Sequence, residues 1–242
     1  MTTRHDHWID GRPEPPAGGT RLATLDPAAR LPGDEIAAGD AADIGRAVAA
    51  AERARHGWAA RSPTERGAVL HRIADAIEAD AGTLMRLERE CTGKVPAQLR
   101  LETDMSAAYF RYYAGVVRAA GHGQVIEQGA GVHTYTRYEP YGVVGVITPW
   151  NLPLNQACRT LAPALAMGTV VVVWSGDLAR GLRLAERIEA GQVSVNGGPL
   201  TIETPFGGYR NSGHGREKGL AALYEYAQLK TVSASLGRPR RG

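Results

Sequence analysis

The sequence predicts an α/β protein in which a helical region and a β-hairpin precede a small parallel sheet. Residues 40–120 carry apolar side chains at helical spacing, whereas residues 132–138 alternate as a half-exposed strand does. Residues 142–196 follow the pattern strand, helix, strand, helix, strand. Right-handed crossovers would make that segment a parallel β-α-β-α-β sheet. A chain of 242 residues suffices for one sizeable core or two small ones.

Composition and charge favour a globular protein with no nucleic-acid or membrane partner. Hydrophobic residues make up 43% and charged residues 22% of the chain, and the formal net charge is +3. The basic residues are scattered except in the tail 237–242, which is too short to predict a nucleic-acid arm. No segment has the pattern of a signal peptide or a membrane span, so we expect a cytoplasmic location.

The first part of the chain predicts an extended arm followed by helices. Residues 1–39 are rich in Pro, Gly and Asp, which is typical of a turn-rich arm. Asp40 is a plausible N-cap for a helix. The apolar face expected on that helix consists of Ile44, Ala47, Val48 and Ala51.

Three more helices are expected before residue 120. Ser62–Glu65 is a capping box with Pro at the first helical position, and it opens the second helix. The third ends at Gly93, where glycine suits a left-handed cap. Pro96 then opens a long helix that runs to about Val117.

The second part of the chain predicts a hairpin arm at 121–141 and an α/β core at 142–236. In the hairpin, 128–131 would form the turn between two strands that could offer an edge to a second subunit. In the core, two continuous apolar runs, "GVVGVIT" and "TVVVVW", are typical of buried parallel strands. A helix with the stripe Leu178, Leu182, Ala185 and Ile188 and a strand at 192–196 would complete the sheet.

The carboxyl ends of these strands predict a binding crevice, because open parallel sheets bind ligands there. The ends carry Trp150 and Asn151, then Trp174, then Asn196. An asparagine amide donates well to a carbonyl or a developing oxyanion. Two local alternatives stay open: Asn151 could be the N-cap of the following helix, and a turn role is favoured for Asn196.

The glycine-rich stretch "PFGGYRNSGHGREKG" invites a nucleotide-binding interpretation, but it fits neither fingerprint. It lacks the third glycine at the right spacing, and Lys218 is not preceded by glycine as in a P-loop. We expect a folded loop that opens a helix after Arg216.

The other candidate ligands and nucleophiles are expected to be structural. His5 and His7 flank an acidic residue, but no second cluster supports a metal site, so no metal is expected. Two cysteines give no disulfide framework, and burial is expected for both Cys91 and Cys158.

Taken together, the motifs resemble the NAD(P)-dependent aldehyde dehydrogenase superfamily in two separated blocks. The first block runs from "WIDG" through "ECTGKVP" and "TRYEPYGVVGVITPWNLPL" to "LAPALAMG"; the second runs from "VWSGDLARG" through "PFGGYRNSGHGREKG" to "YAQLKTV". The resemblance implies an internally truncated member. The missing middle would hold the cofactor ribose and pyrophosphate, supply the general-base glutamate and bear the nucleophilic cysteine. We therefore expect no NAD(P) cofactor, and a join between strands of two ancestral domains.

The resemblance also implies a substrate tunnel and places residues in it. Asn151 matches the oxyanion-hole asparagine of the family. The implied tunnel wall consists of Met105, Tyr109, Trp150, Leu152, Asn155, Arg159, Leu200, Thr201 and Phe206. Asn155 and Arg159 depart from the usual apolar pattern, and one helical turn separates them. Arg159 could bind a carboxylate, enolate or phosphate; alternatively it turns to solvent or pairs with an acid.

Two functions from different classes follow from these residues. The favoured one is a repurposed, cofactor-independent enzyme that acts on a small carbonyl compound as an isomerase, cyclase, dehydratase or lyase. Asn151 would be the oxyanion donor, Arg159 the anion clamp, Glu203 the base and Tyr109 the acid.

The alternative is a non-catalytic subunit of a full-length aldehyde dehydrogenase, since the hairpin and the tail "YAQLKTVSAS" resemble elements through which relatives assemble. Residual aldehyde oxidation is a third possibility. A monomer is not expected, because the loss of the middle should leave apolar surface to be buried. A homo-oligomer is favoured, and a complex with a full-length aldehyde dehydrogenase is the alternative.

Overall fold

A computed structural model describes residues 2–127, 132–174, 202–203, 205–207 and 213–235 of the chain. The described strands are β1 (Arg4–His5), β2 (His7–Ile9), β3 (Arg12–Glu14), β4 (Arg21–Asp26), β5 (Leu31–Ala37), β6 (Val125–Ile126), β7 (Val132–Pro140), β8 (Val143–Ile147), β9 (Val170–Trp174), β10 (Phe206–Gly207), β11 (Arg216–Glu217) and β12 (Ala227–Ser235). The helices are α1 (Ala41–Ala59), α2 (Pro63–Ala79), α3 (Ala81–Thr92), α4 (Pro96–Val116), α5 (Pro153–Ala166) and α6 (Ala221–Tyr224). The mixed α/β class is confirmed. Among the described helices, none is both long and apolar enough to cross a membrane.

The helix boundaries expected from local sequence are confirmed. Asp40 caps α1 and Ser62 caps α2, each through a complete capping box. Gly93 ends α3 in the left-handed conformation, at φ +70. These signals act over three or four residues, so sequence alone is enough to place them.

The face expected on α1 is confirmed only in part. Ala51 is buried as expected, whereas Ile44 and Val48 are exposed, and Asp43 is buried as well. Asp43 accepts a hydrogen bond from the backbone N–H of Ala17 in the N-terminal arm at 3.0 Å and pairs with Arg46. A carboxylate supplied with donors in this way can be buried, and the arm therefore covers the polar side of the helix.

The core lies where α2, α4 and α5 meet. Its largest fully buried side chains include Leu70, Tyr109, Phe110, Tyr113 and Leu223. Side chains of α1 and α2 also donate hydrogen bonds to backbone carbonyl groups at the C-terminal end of α5. Trp58 Nε1 donates to the carbonyl of Leu165 at 3.1 Å, and Arg66 Nε donates to that of Ala166 at 2.8 Å.

A three-stranded antiparallel sheet in the order β12-β7-β6 stands beside this core. β12 and β7 pair without interruption from Ala227↔Pro140 to Ser235↔Val132. The expected hairpin strands are confirmed by the pair Val125↔Tyr135, while the turn at 128–131 lies outside the described residues.

The second sheet pairs β8 with β9 in parallel, as expected, from Val143↔Val170 to Ile147↔Trp174. The expectation that β8 is fully buried is wrong, since Ile147 is 78% exposed. In the described part of the chain this sheet has two strands only, so much of its surface lacks a neighbour. A cleft of about 910 Å³ runs alongside β9, and α1 and the N-terminal arm form its other walls. The stripe Leu178, Leu182, Ala185 and Ile188 and the strand at 192–196 lie outside the described residues.

The expected helix after Arg216 is also wrong. Arg216 and Glu217 form β11, which pairs with β10, and the short helix α6 begins only at Ala221. Lys218 and Gly219 between them have φ of +62 and +58. A right-handed helix cannot contain such residues, so the chain must turn here before it can become helical.

Candidate functional site

Five side chains from separate elements meet beside the core, and we call them the Arg159 cluster. Its members are Tyr109 of α4, Arg159 of α5, Phe206 of β10, Glu217 of β11, and Lys218, which follows β11 directly. Tyr109, Arg159 and Phe206 are site residues that the sequence predicted, and the fold brings these three together.

Arg159 lies at the centre of the cluster. Its side chain is 12% exposed, pairs with the Glu217 carboxylate, and places its guanidinium carbon 4.8 Å from the centroid of the Phe206 ring. Arg159 Nε is buried and makes no hydrogen bond among the described residues. Arg159 therefore pairs with an acid, which was one of the alternatives. Its Nε–H group makes no hydrogen bond among the described residues and is the donor that remains.

Tyr109 is fully buried against Arg159. Burial raises the pKa of its phenol, and the positive charge of Arg159 and a hydrogen bond with it oppose that rise. The phenol is thus neutral near pH 7. Because arginine can only donate, Tyr109 Oη accepts this bond and keeps its own proton available for donation.

Lys218 brings a second cation to the Phe206 ring. Its residue is 3% exposed, and Nζ lies 5.6 Å from the ring centroid. Burial lowers the pKa of this amine, the nearby Arg159 charge lowers it further, and Glu217 acts in the opposite direction. Desolvation of an ammonium group beside another cation favours the neutral amine.

Hydrogen bonds from two other elements hold the turn at Lys218. The N–H of Gly219 donates to the carbonyl of Ile202 at 2.8 Å, and the hydroxyl of Tyr113 donates to the carbonyl of Gly219 at 3.0 Å. A left-handed conformation is unfavourable for lysine by about 1–2 kcal/mol. Strain of this kind persists where surrounding contacts fix it, and it is found most often at functional sites.

A polar cavity of about 260 Å³ adjoins the cluster at the carboxyl end of β8. It is lined by residues 144–149, Gln156, Thr160, Glu217 and Tyr226. Glu217 thus belongs to both the cavity and the Arg159 cluster. Trp150 and Asn151, which the sequence predicted for a crevice at the ends of the strands, are not among the residues that line it.

Asn151 stands exposed in the loop between β8 and α5. The alternative that Asn151 caps α5 is wrong, because the N-cap residue is Leu152. The helix has no capping hydrogen bond from a side chain at that position. Glu88 of α3 instead accepts a hydrogen bond from the N–H of Leu154 in the first turn. A carboxylate at a helix N-terminus is favourable, so α5 begins here without a local cap.

Asn155 is buried, and its amide Nδ2 donates to the carbonyl of Glu102 at 3.4 Å. Its amide is therefore engaged with α4. Glu203 is exposed and lies close enough to Tyr112 to raise the pKa of that phenol, after burial, which is the larger cause.

The other predicted wall residues fall into two groups. Met105 and Leu152 are half-buried, and Trp150 is exposed. Asn196, Leu200 and Thr201 lie outside the described residues, and of Trp174 only the backbone is described. The tunnel wall as a whole stays a prediction.

Sequence reasoning missed Glu217 and Lys218. The available signal was a run of three charges of alternating sign between glycines in "HGREKG", directly before an apolar helix. Burial of a charge usually means that it is paired or functional, but burial itself cannot be seen in a sequence.

Neither cysteine of the chain has the properties of a reactive thiol. Cys158 is buried, as expected, and burial raises its pKa to about 12. Cys91 is exposed, which corrects the expectation of burial, because α3 turns Glu88 inward and Cys91 outward. Partial desolvation and neighbouring carboxylates, with Glu88 first, still raise the pKa of Cys91. The nucleophilic form of cysteine is the thiolate, and neither group favours it at neutral pH.

The described residues contain no group of three or more His, Cys, Asp and Glu side chains that could hold a metal ion. The two histidines singled out in the sequence lie next to separate carboxylates. His5 contacts Asp34 at 2.8 Å and His7 contacts Asp43 at 3.5 Å.

Comparison with known proteins agrees with these motifs. The model of the aldehyde dehydrogenase family matches residues 15–173 and 171–232, two blocks that meet within β9. Fluoroacetaldehyde dehydrogenase of Streptantibioticus cattleyicolor is 43% identical over 175 residues, which is 72% of this chain and 34% of the relative. Acetaldehyde dehydrogenase 2 of Cupriavidus necator is 40% identical over 172 residues, 70% of this chain and 34% of the relative.

Solved structures give the same result. The NAD-dependent aldehyde dehydrogenase from Sinorhizobium meliloti superposes with a TM-score of 0.69 at 32% identity, covering 77% of this chain and 38% of that one. The chain therefore spans about a third of the length of the curated relatives it matches. The two family blocks, their order and the shared architecture establish that the chain is a partial member of the aldehyde dehydrogenase family.

Proposed function

We propose that the chain binds a small carbonyl compound at the Arg159 cluster and catalyses a step on it without net oxidation or reduction. The observation that carries the proposal is that a guanidinium and a buried amine meet at the face of Phe206, with a neutral phenol hydrogen-bonded to the guanidinium. These are the groups that polarise, protonate and attack a carbonyl.

Each of two groups has a defined role. The guanidinium of Arg159, with Nε still unbonded among the described residues, can hold the carboxylate or enolate oxygen of a ligand. Tyr109 keeps its proton near pH 7 and can donate it to the carbonyl oxygen. Asn151 as an additional oxyanion donor, and Glu203 as the base, stay part of the proposal.

A dehydrogenase is less well supported by the same residues. Oxidation by the family requires a thiolate, and both thiols of this chain have raised pKa values. By resemblance, the elements that hold the cofactor ribose and pyrophosphate belong to the middle segment that this chain lacks. The absence of an NAD(P) cofactor therefore stays part of the proposal.

The proposal is tested by proton exchange at a carbonyl compound of the simplest kind. Pyruvate is incubated with the protein in D2O, and loss of the methyl proton signal is followed by NMR. We expect exchange faster than in buffer with bovine serum albumin at equal amine concentration, because the cluster stabilises the enolate. Arg159→Met should remove the excess rate, while Arg100→Met, at an exposed position of α4, should not.

If the wild-type protein exchanges pyruvate no faster than the albumin control, and neither pyruvate nor acetaldehyde shifts its thermal midpoint, the proposed function is wrong. Acetaldehyde lacks the carboxylate that Arg159 would hold. A response to pyruvate and not to acetaldehyde would therefore support Arg159 as the residue that binds the carboxylate.

A second candidate function is favoured by the sheet β12-β7-β6. Its nine-residue register between β7 and β12 is continuous, and β12 has no further partner strand among the described residues. Such an edge can pair with another chain. A subunit role would be supported if the protein co-purified with a full-length aldehyde dehydrogenase co-expressed from the same genome, and opposed if native mass spectrometry showed copies of this chain alone.

A further inference from the structure

The cleft beside β9 lies apart from the Arg159 cluster, and no member of that cluster lines it. Its walls are β9, a stripe of alanines on α1, and apolar side chains of the N-terminal arm that include Trp8, Leu22 and Ile36. The acidic residue in the lining, Asp10, is paired with Arg53 at 3.0 Å. The cleft therefore suits an occupant that is apolar and uncharged.

The backbone edge of β9 faces this cleft. The four consecutive residues Val170–Val173 all line it, although the side chains of a strand alternate between the two faces of a sheet. The N–H of Val170 donates to the carbonyl of Gly142 at 2.8 Å and so points toward β8. Because these directions alternate along a strand, the N–H and C=O groups of Val171 and Val173 point away from β8. The cleft is thus shaped to receive another strand.

This edge carries none of the features that usually keep edge strands apart. Such strands are commonly protected by a charged side chain, a proline or a bulge. The sequence of β9 is "VVVVW", and its pairing with β8 has a regular register. Trp8 at the rim of the cleft is 73% exposed. An exposed apolar surface of this kind is typical of a site that binds another protein segment.

The sequence of β9 itself matches what the cleft requires. Among the described strands of five or more residues, β8 and β9 are the two without a charged side chain. The outer edge of β8 runs along the polar cavity that contains Glu217 and Gln156, so it does not present an apolar edge. Two copies of β9 related by a two-fold axis would each offer the same edge, and such a contact closes as a dimer.

We propose that the cleft beside β9 is an interface with a second copy of this chain, in which β9 pairs antiparallel with its counterpart. Val172 then lies on the two-fold axis, and Val171 faces the Val173 of the other copy. Val171 and Val173 are the residues whose N–H and C=O groups point outward, so this register pairs them with each other. The two small sheets become one continuous sheet.

The exposed apolar residues of α1 fit the same arrangement. α1 packs on both β8 and β9. Ile44 precedes Ala47 by one helical turn, and Val48 precedes Ala51 by one turn, so both border the alanine stripe that lines the cleft. A two-fold axis perpendicular to the sheet places both copies of α1 on the same side of it. The second copy of α1 then covers Ile44 and Val48, and the small alanine side chains leave room for the added strand.

The register is tested by disulfide formation between single cysteines in a Cys91→Ser background, which removes the exposed thiol. Opposed residues of a non-hydrogen-bonded pair lie about 4.5 Å apart at Cα, within the range that a disulfide bridges. Val172→Cys should therefore give an oxidised dimer on a non-reducing gel. Val170→Cys should not, because four residues of extended chain, about 14 Å, separate it from its counterpart. Thr231→Cys, in the middle of the other edge strand β12, is the matched control.

The strength of the contact is measured by native mass spectrometry across a micromolar dilution series. The wild-type chain should be a dimer. Val173→Lys places a charge on the edge of β9 and should weaken the dimer about tenfold or more. Leu229→Lys makes the same change at an exposed position of β12 and should leave the dissociation constant unchanged within about twofold. Circular dichroism of each variant shows whether it is folded.

Three results would overturn the proposal. The first is a wild-type chain that is monomeric throughout the dilution series. The second is a disulfide at Thr231→Cys and none at Val172→Cys, with Leu229→Lys as the variant that dissociates the dimer, since the copies would then meet through β12. The third is crosslinking of equal yield at Val170→Cys and Val172→Cys, which an antiparallel pair cannot give. None of these results depends on activity at the Arg159 cluster.

Discussion

The ion pair between Arg159 and Glu217 gives the sharpest prediction about the cluster. Its two partners come from α5 and β11, so the pair also tests whether the β10-β11 segment docks on the helices in solution. The perturbation is a double-mutant cycle with Arg159→Met, Glu217→Gln and the double variant. Methionine keeps the length and the apolar volume of the arginine stem, and glutamine keeps the shape of glutamate.

The magnitude depends on distance and exposure. Two unit charges about 4 Å apart attract each other by about 4 kcal/mol at an effective dielectric constant of 20. The Arg159 side chain is 12% exposed and that of Glu217 is 34% exposed. Part of the attraction is therefore offset by desolvation of the arginine, and part is screened at the glutamate. We expect a coupling free energy of about 1–3 kcal/mol.

The assay is urea unfolding of the four proteins, followed by circular dichroism at pH 7 and low salt. Arg159→Met alone should lower the free energy of unfolding more than Glu217→Gln does, because it also removes the cation from the Phe206 face. The exposed pair Arg100–Asp104 serves as the control cycle and should couple within experimental error. A coupling for Arg159 and Glu217 as small as that of the control would refute the cluster as described.

Three further predictions concern single side chains. Burial raises the pKa of Cys158 from 9.0 to about 12, so as pH rises the thiol ionises in the unfolded state before it does so in the folded state. The free energy of unfolding should therefore be unaffected below about pH 9 and should fall between pH 9 and pH 12, by about 1.4 kcal/mol per pH unit. Cys158→Ala should flatten that fall in urea titrations at pH 8 and pH 10. Leu70→Ala at a fully buried position should lower the free energy of unfolding by about 2–5 kcal/mol, and Leu101→Ala at an exposed position of α4 by far less. Tyr113→Phe removes the hydrogen bond to the Gly219 carbonyl and should lower the free energy of unfolding by about 1 kcal/mol in the same measurement; an unchanged midpoint would show that the bond contributes nothing.

Features that depend on neighbours in sequence were predicted well. The capping boxes at Asp40 and Ser62, the left-handed cap at Gly93 and the parallel pairing of β8 with β9 all match the structure. Each arises from a few adjacent residues or from the period of apolar side chains. The division at 1–39, 40–120, 121–141, 142–236 and 237–242 stays a prediction.

Features that depend on what covers a surface were predicted poorly. Ile44 and Val48 lie on an apolar stripe, yet the arm contacts the neighbouring side of α1, where Asp43 is hydrogen-bonded. Ile147 belongs to an apolar run, yet it is exposed because few of the described elements pack on its sheet. Periodicity shows that a face is apolar, but not whether the fold supplies a partner for it.

The sequence by itself determined the family, the order of helices and strands over residues 40–174, and the chemical inventory of two cysteines and three lysines. Only the tertiary structure decided which of those groups meet. Arg159 had open alternatives in the sequence, and only the fold shows that Glu217 and Phe206 come to it from a distant segment. Burial and charge pairing are properties of contacts between segments, and for this reason the placement of Lys218 beside Phe206 could not be predicted from the sequence.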